Sequence, residues 1–183
     1  MVQNLSFQYT DNELIAECLQ NNRVAQKEMY ERLSSRMFSV CLRYVGDKEI
    51  AKDILHDGFI TLFAKLETFR GDGSFEGWAR RIFVTTALMH LRKTDILKRT
   101  EELDAHGLDL QIDSTVVEKL DARRLMQLIE QMPVGFRTVF NLFVIEEFTH
   151  NEIAKELHIT EGGSRSQLSR ARVWLKEKLK DFE

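Results

Sequence analysis

Apolar residues recur every three or four positions along most of the chain, which is the spacing of α-helices with one buried face. Residues 10–13 (Thr-Asp-Asn-Glu) have the hydroxyl and the carboxylate of a capping box and predict a first helix start. The stripe over 25–45 predicts one long helix or two shorter ones. Gly46 predicts its end, and Asp47 predicts the N-cap of a helix over about 48–66.

A glycine-rich segment interrupts this pattern at residues 69–77 (FRGDGSFEG), where three of nine residues are glycine. Such a density predicts a loop. A helix is expected from Trp78 to about Arg92, with Phe83 among its buried residues.

The helical pattern fades after residue 94. Residues 100–118 contain six acidic residues and no Lys or Arg, which predicts an extended acidic linker. We therefore expect a domain over residues 1–95, a linker over 96–118 and a second domain over 119–183.

The C-terminal pattern is that of a helix-turn-helix. Pro133 is expected at the first position of a helix, and residues 149–152 (Thr-His-Asn-Glu) form a second capping box. A short helix, a turn at 158–160 and a last helix from about Glu161 to Lys180 complete the motif. The predicted fold class is all-α: two small helical domains joined by an acidic linker, the C-terminal one containing the helix-turn-helix.

Composition narrows the function classes. The chain has 183 residues, of which 43% are hydrophobic, and a net charge of −3, so it can bury a core and gives no overall sign of nucleic-acid binding. No apolar run approaches the ~20 residues of a membrane span, and we expect neither membrane insertion nor a signal peptide. Cys18 and Cys41 are expected to be reduced core thiols, and no cofactor or metal site is expected.

Positive charge is nevertheless concentrated in two places. The last helix has six basic residues against one acid after Ser164, which favours binding to a polyanion. A solvated amphipathic helix is the alternative. Residues 78–99 also have six basic residues against one acid, next to Phe69, Phe75 and Trp78. Aromatic rings beside cations suit single-stranded nucleic acid. Trp78 could equally be a core residue.

Catalytic arrangements are weak. The five histidines show no metal-ligand spacing, and the glycine-rich segment lacks the lysine of a phosphate-binding loop. We expect no catalytic residue and interpret the chain as a binding protein and not an enzyme.

Three segments together resemble the extracytoplasmic-function (ECF) subfamily of bacterial RNA polymerase sigma factors. Residues 46–63 resemble the helix that docks on the polymerase clamp, and residues 69–82 resemble the segment that reads and opens the −10 element. Residues 132–179 resemble the region that reads the −35 element. The resemblance implies an alternative sigma factor that binds core RNA polymerase and directs promoter recognition, DNA melting and transcription initiation.

The resemblance also implies residue roles. Asp53, His56 and Asp57 would bind polymerase. The −10 element would be bound by Phe69, Arg70, Gly71, Asp72, Phe75, Trp78, Arg80, Arg81, Thr85 and Arg92. The −35 element would be bound by Gly163, Ser164, Arg165, Gln167, Ser169, Arg170 and Arg172. Two or three of Arg165, Gln167 and Arg170 are expected to reach base edges or phosphates from one helix face. Gly58 lies in the middle of the predicted docking helix, where glycine is less favourable for helix formation than alanine by about 1 kcal/mol.

The implied partners are core RNA polymerase, promoter DNA and an anti-sigma factor, and the implied location is the cytoplasm. Two alternatives come from other classes of protein. One is a helix-turn-helix regulator with its own sensory domain, which would bind DNA without polymerase. The other is a helical adaptor that binds only proteins.

Overall fold

The computed structural model describes residues 9–93 and 122–180, and every regular element in these two ranges is helical. The first range contains α1 (Asp11–Leu19), α2 (Arg23–Val45), α3 (Lys48–Lys65), a 3-10 turn (Leu66–Thr68) and α4 (Phe75–Lys93). The second contains α5 (Ala122–Gln131), α6 (Val134–Phe140), a π turn (Asn141–Ile145), α7 (His150–Leu157) and α8 (Glu161–Lys180). The all-α fold class is confirmed. The predicted linker over 96–118 lies outside the described residues.

Local signals in the sequence set most helix ends. Thr10 and Thr149 form the two predicted capping boxes, in which each threonine hydroxyl accepts from a backbone N–H three residues on. In both boxes a glutamate carboxylate accepts the backbone N–H of the threonine at 2.8 Å. Gly46 ends α2 in the left-handed region, with φ +71°. These features confirm the two predicted capping boxes and the predicted helix end at Gly46.

The structure decides one open alternative and corrects two local predictions. The stripe over 25–45 is one helix. The glycine-rich loop is shorter than predicted, because α4 already begins at Phe75. Ser74 caps this helix, and its Oγ accepts the Gly77 N–H at 3.1 Å. Pro133 is the N-cap of α6 and not its first helical residue. The π turn over 141–145 widens the helix after Phe140, and Val144 within it is 46% exposed.

Packing divides the chain into two compact units. The first unit contains the described residues up to Cys41 together with Lys48–Thr86, and its core includes Leu14, Met29, Ile54 and Leu62, each at most 1% exposed. The second unit contains Leu42–Asp47 and the described residues from Ala87 onward.

None of the helices in the described ranges is long and apolar enough to cross a membrane. Cys18 and Cys41 are buried free thiols, and burial raises their pKa values to about 11 and about 12.

The first unit is organised around Gly58 of α3. Phe83 of α4 is fully buried against it, and a Cβ at residue 58 would lie 2.3 Å from the Phe83 Cδ1 atom. The Phe83 ring meets Phe59 edge-on at 5.1 Å, and Phe59 contacts Tyr30 of α2 at 4.5 Å between ring centroids. The three helices α2, α3 and α4 therefore meet at one aromatic cluster that only a glycine at residue 58 admits.

A buried arginine organises the second unit. Arg137 of α6 is 4% exposed, and its Nε donates to the Tyr44 carbonyl at 3.0 Å. Its Nη1 donates to the Glu130 carbonyl and occupies the space that a Cβ at Gly46 would need. Burial lowers the pKa of Arg137 to about 10.

Arg43 and Glu146 form an ion pair at 2.9 Å, with both side chains 9% exposed. Buried charges of this kind are stable only when paired, so removing either partner is strongly destabilising.

We predict that Gly58→Ala destabilises the protein although alanine has the higher helix propensity. Overpacking a tight core costs about 1–3 kcal/mol, which exceeds the gain of about 1 kcal/mol in propensity. Urea unfolding followed by circular dichroism measures the effect.

Gly77→Ala is the matched control for this prediction. It also lies within a helix, but the nearest atom to its Cβ outside the helix backbone would be Ser74 Oγ at 3.7 Å, an ordinary contact. Gly77→Ala should be neutral or stabilising. Equal stability gains from both substitutions would contradict the close approach of Phe83.

Candidate polymerase-binding and nucleic-acid-binding surfaces

The outer side of α3 carries the three residues predicted to bind polymerase. Asp53, His56 and Asp57 are all exposed, while Ala51, Ile54, Leu55, Gly58, Phe59 and Leu62 form the buried stripe of the same helix. Spacings of three and four residues place the exposed side chains on one face. The structure therefore brings the three residues together, and we call Asp53, His56, Asp57 and Ile60 the α3 face.

Ile60 was not among the predicted contact residues. It is 57% exposed and lies three residues after Asp57 and seven after Asp53, in line with them. The signal was present in the sequence, because Ile60 falls outside the register of the buried stripe. A large apolar side chain beside acids suits a protein interface, where a few anchor residues supply most of the binding energy.

Three aromatic rings cluster at the glycine-rich loop. Phe69 lies 5.3 Å from Phe75 and 5.4 Å from Trp78, and the Phe75 and Trp78 rings stack at 5.8 Å. Phe69 and Trp78 are half-buried, whereas Phe75 is 7% exposed. Phe75 is buried against the other two rings, and its side chain is the least accessible of the three. Trp78 is both a packing residue and a partly accessible ring.

The cations and the loop residues around these rings are accessible. Arg70, Gly71 and Asp72 are exposed, and Gly71 and Gly73 have φ values of +80° and +94°. Arg81 and Thr85 are exposed one turn apart on α4, and Arg80 is half-buried. Glu76, the acid in the first turn of α4, is paired with Arg36 of α2. We call Phe69, Arg70, Trp78, Arg81 and Thr85 the loop face.

Arg92 does not belong to this group of accessible side chains. It lies in the second unit, where its Nη2 donates to the Glu156 carboxylate at 3.0 Å. Its Nη1 is 3.4 Å from His158 Nε2. The structure therefore gives this predicted −10 residue a partner of its own.

The predicted helix-turn-helix is confirmed. α7 ends at His158 in the left-handed conformation, with φ +58°. Thr160 caps α8, since the Gly163 N–H donates to its Oγ1 at 2.9 Å. A Cβ at Gly162 would make only an ordinary contact, 3.9 Å from the Thr160 hydroxyl, whereas a Cβ at Gly163 would lie 3.2 Å from the same hydroxyl. The first turn of α8 thus leaves its backbone accessible near residue 162.

Ser164, which was predicted to contact DNA, lies in the interior of the helix-turn-helix. Its side chain is fully buried, and its Oγ lies 2.8 Å from His150 Nδ1 of α7. The His150 ring stacks on Phe143 at 4.5 Å. Burial, and next the positive charge of Arg165, lower the pKa of His150 and favour its neutral form. Ser164 and His150 therefore hold α8 against α7.

The basic residues of α8 divide between two sides of the helix. Leu168, Ala171 and Leu175 are buried, and Arg165, Ser169, Arg172 and Lys176 share the spacing of one accessible face. We call these four residues the α8 basic face. Gln167 is not on it, because residues two apart on a helix point about 200° apart. The Gln167 Oε1 atom is buried and has no hydrogen-bond partner among the described residues. Arg165 and Gln167 therefore do not share a face, whereas Gln167 and Arg170 have the three-residue spacing of one face.

Two family models match this chain. The model described as Sigma-70 region 2 matches residues 29–96, and the model described as Sigma-70, region 4 matches residues 122–175. The first match contains the α3 and loop faces, and the second contains the α8 basic face. The two matches follow one another along the chain with the predicted linker between them.

Curated relatives match over nearly their full lengths. The chain is 26% identical to the ECF RNA polymerase sigma-E factor of Haemophilus influenzae, over 94% of this chain and 96% of the relative. It is also 26% identical to the RNA polymerase sigma-H factor of Pseudomonas aeruginosa, over 90% and 91%. Among solved structures, the sigma factor RpoE of Bartonella quintana, in complex with the anti-sigma factor NepR, shares the fold with a TM-score of 0.50. That match has 17% identity and covers 84% of this chain and 96% of the other.

The chain contains both sigma regions in order, and its relatives, which match over nearly their full lengths, are also RNA polymerase sigma factors. The chain belongs to the extracytoplasmic-function family of bacterial RNA polymerase sigma factors, alternative sigma factors that direct promoter recognition and transcription initiation.

Proposed function

We propose that residues 1–95 bind core polymerase and the opened −10 strand, and that residues 119–183 bind the −35 duplex. The protein acts in the cytoplasm by binding and not by catalysis. The observation that carries the proposal is the separation of exposed groups by chemistry: acids with an apolar anchor on α3, aromatic rings with cations at the loop, and cations on α8. Each set suits a different partner.

The α3 face is the proposed contact with core polymerase. Its acids lie opposite the buried stripe, so they can meet a basic surface without any change in the fold. The loop face is the proposed site of the −10 strand, where a base leaves the stack and meets Trp78 and Phe69. Unstacking a base costs a few kcal/mol, which stacking on an aromatic ring can return.

The α8 basic face is the proposed −35 contact, with Arg165 nearest the helix start. An adaptor that binds only proteins would need neither cationic face, and a regulator independent of polymerase would not need the region 2 match. An anti-sigma factor is a further proposed partner, since the Bartonella quintana protein was crystallised with one.

The first prediction concerns core binding. Asp53→Lys with Asp57→Lys should weaken binding to purified core polymerase about tenfold or more, because like charges across an interface cost several kcal/mol. In transcription reactions with core polymerase and genomic fragments, the double variant should lose the discrete start sites that the unaltered protein produces.

A matched control reverses two exposed acids elsewhere in the first unit, Glu31→Lys and Glu67→Lys. The helical circular dichroism of both double variants should stay unchanged, since exposed substitutions cost under about 0.5 kcal/mol. Equal losses in both variants would show a general charge effect and remove the α3 assignment.

The second prediction concerns strand opening. Trp78→Ala should reduce permanganate reactivity at the −10 element at matched promoter occupancy, because base stacking on a ring is worth about 1–3 kcal/mol. Trp78→Phe keeps an aromatic ring and should retain most of the opening. If the alanine variant opens DNA as well as the phenylalanine variant does, Trp78 serves only the packing of Phe69 and Phe75.

The third prediction concerns the −35 duplex. Arg165→Ala should relax preference at one −35 position, since an arginine on a guanine edge discriminates by about 1–3 kcal/mol. Arg172→Ala should weaken all sequences alike and lower the salt slope by about one, as for a phosphate contact. Fluorescence anisotropy of the holoenzyme on promoter variants at several salt concentrations separates the two. Unchanged base preference in Arg165→Ala would mean that the register assigned to α8 is wrong.

A further inference from the structure

The first residue of α8 has an unusual set of partners. The Glu161 Oε1 atom accepts from Asn151 Nδ2 of α7 at 2.7 Å, and its Oε2 atom accepts from Arg165 Nη2 at 3.1 Å. One carboxylate thus joins the first helix of the helix-turn-helix to the arginine proposed to read DNA.

This arrangement differs from an ordinary surface ion pair. An exposed pair four residues apart on a helix is weak and exchanges its partners freely. Here the Glu161 side chain is 40% exposed and also accepts a hydrogen bond from a side chain of another helix, so two contacts restrain the carboxylate. The side chain of Arg165 is 61% exposed, and its guanidinium therefore has a restrained acceptor in the Glu161 carboxylate.

The position of the charge matters as well. An anionic side chain in the first turn of a helix is favoured by the helix dipole, but a phosphate would bind in the same place. The hydrogen bond from Asn151, and then the contact with Arg165, lower the pKa of Glu161, so the carboxylate is ionised at neutral pH. An ionised carboxylate beside Arg165 competes with DNA phosphates for the guanidinium.

We propose that Glu161, anchored by Asn151, is a positioning residue that holds Arg165 toward a base edge and away from phosphate, and so sets the sequence preference of α8. The inference rests on the proposed −35 contact of α8. Glu161 touches no base in this arrangement and acts through Arg165.

The test compares two substitutions that remove the same charge from the same helix. Glu161→Gln removes the negative charge beside Arg165 and leaves one amide oxygen in place of two carboxylate oxygens, while Glu177→Gln removes an exposed carboxylate about four turns further along. The probes are a promoter recovered by transcription in vitro and the same duplex with its −35 window randomised. Holoenzyme affinity for each is measured by fluorescence anisotropy.

Glu161→Gln should lower the ratio of promoter to randomised-duplex affinity about fivefold, the low end of what one arginine–base contact contributes. Most of the change should be a gain in affinity for the randomised duplex. Glu177→Gln should raise both affinities together and leave the ratio unchanged.

Asn151→Ala supplies a second variant with no change in charge. It keeps Glu161 and Arg165 but removes the anchor, and it should lower the same ratio. A merely electrostatic role of Glu161 would not respond to this substitution.

The outcomes separate the two proposals. If Arg165→Ala lowers the ratio but Glu161→Gln and Asn151→Ala leave it unchanged, the positioning role is overturned and the −35 contact stands. If Arg165→Ala also leaves the ratio unchanged, the α8 assignment fails and the positioning role fails with it.

Discussion

The close approach of Phe83 to Gly58 is the contact on which the first unit depends. A fully buried ring occupies the place of a side chain at residue 58, so α3 and α4 lie closer than two helices with ordinary side chains would. The ring also contacts Phe59, which contacts Tyr30 of α2. This contact determines the sides of α3 and α4 that remain exposed, and therefore the positions of the α3 face and the loop face.

In the second unit, the corresponding role belongs to contacts at the start of α8. Thr160 caps the helix, and Ser164 binds His150 of α7 in the interior. With Leu168, Ala171 and Leu175 also buried, the rotation of α8 about its axis is defined. That rotation exposes Arg165 and Arg172 on one side and turns the Gln167 amide oxygen inward.

In both units the residues assigned to binding are exposed because their neighbours one or two positions away are buried. Asp53 precedes Ile54, Asp57 precedes Gly58, and Arg165 follows Ser164. A helix rotates by about 100° per residue, so each buried contact decides the direction of the side chain beside it. The packing of the core therefore also determines which side chains form the binding surfaces of this protein.

The sequence by itself determined the features that depend on neighbouring residues. The capping boxes at Thr10 and Thr149, the stop at Gly46, the turn at 158–160 and the exposed stripe of Asp53, His56 and Asp57 all follow from local hydrogen bonding or helical spacing. The separation of Arg165 from Gln167 was also available from spacing. Only the tertiary structure decided that Phe75 and Ser164 are buried, that Gly58 admits Phe83 and that Glu161 joins Asn151 to Arg165. Each of these depends on a side chain from another part of the chain, and local periodicity contains no information about which residue that will be.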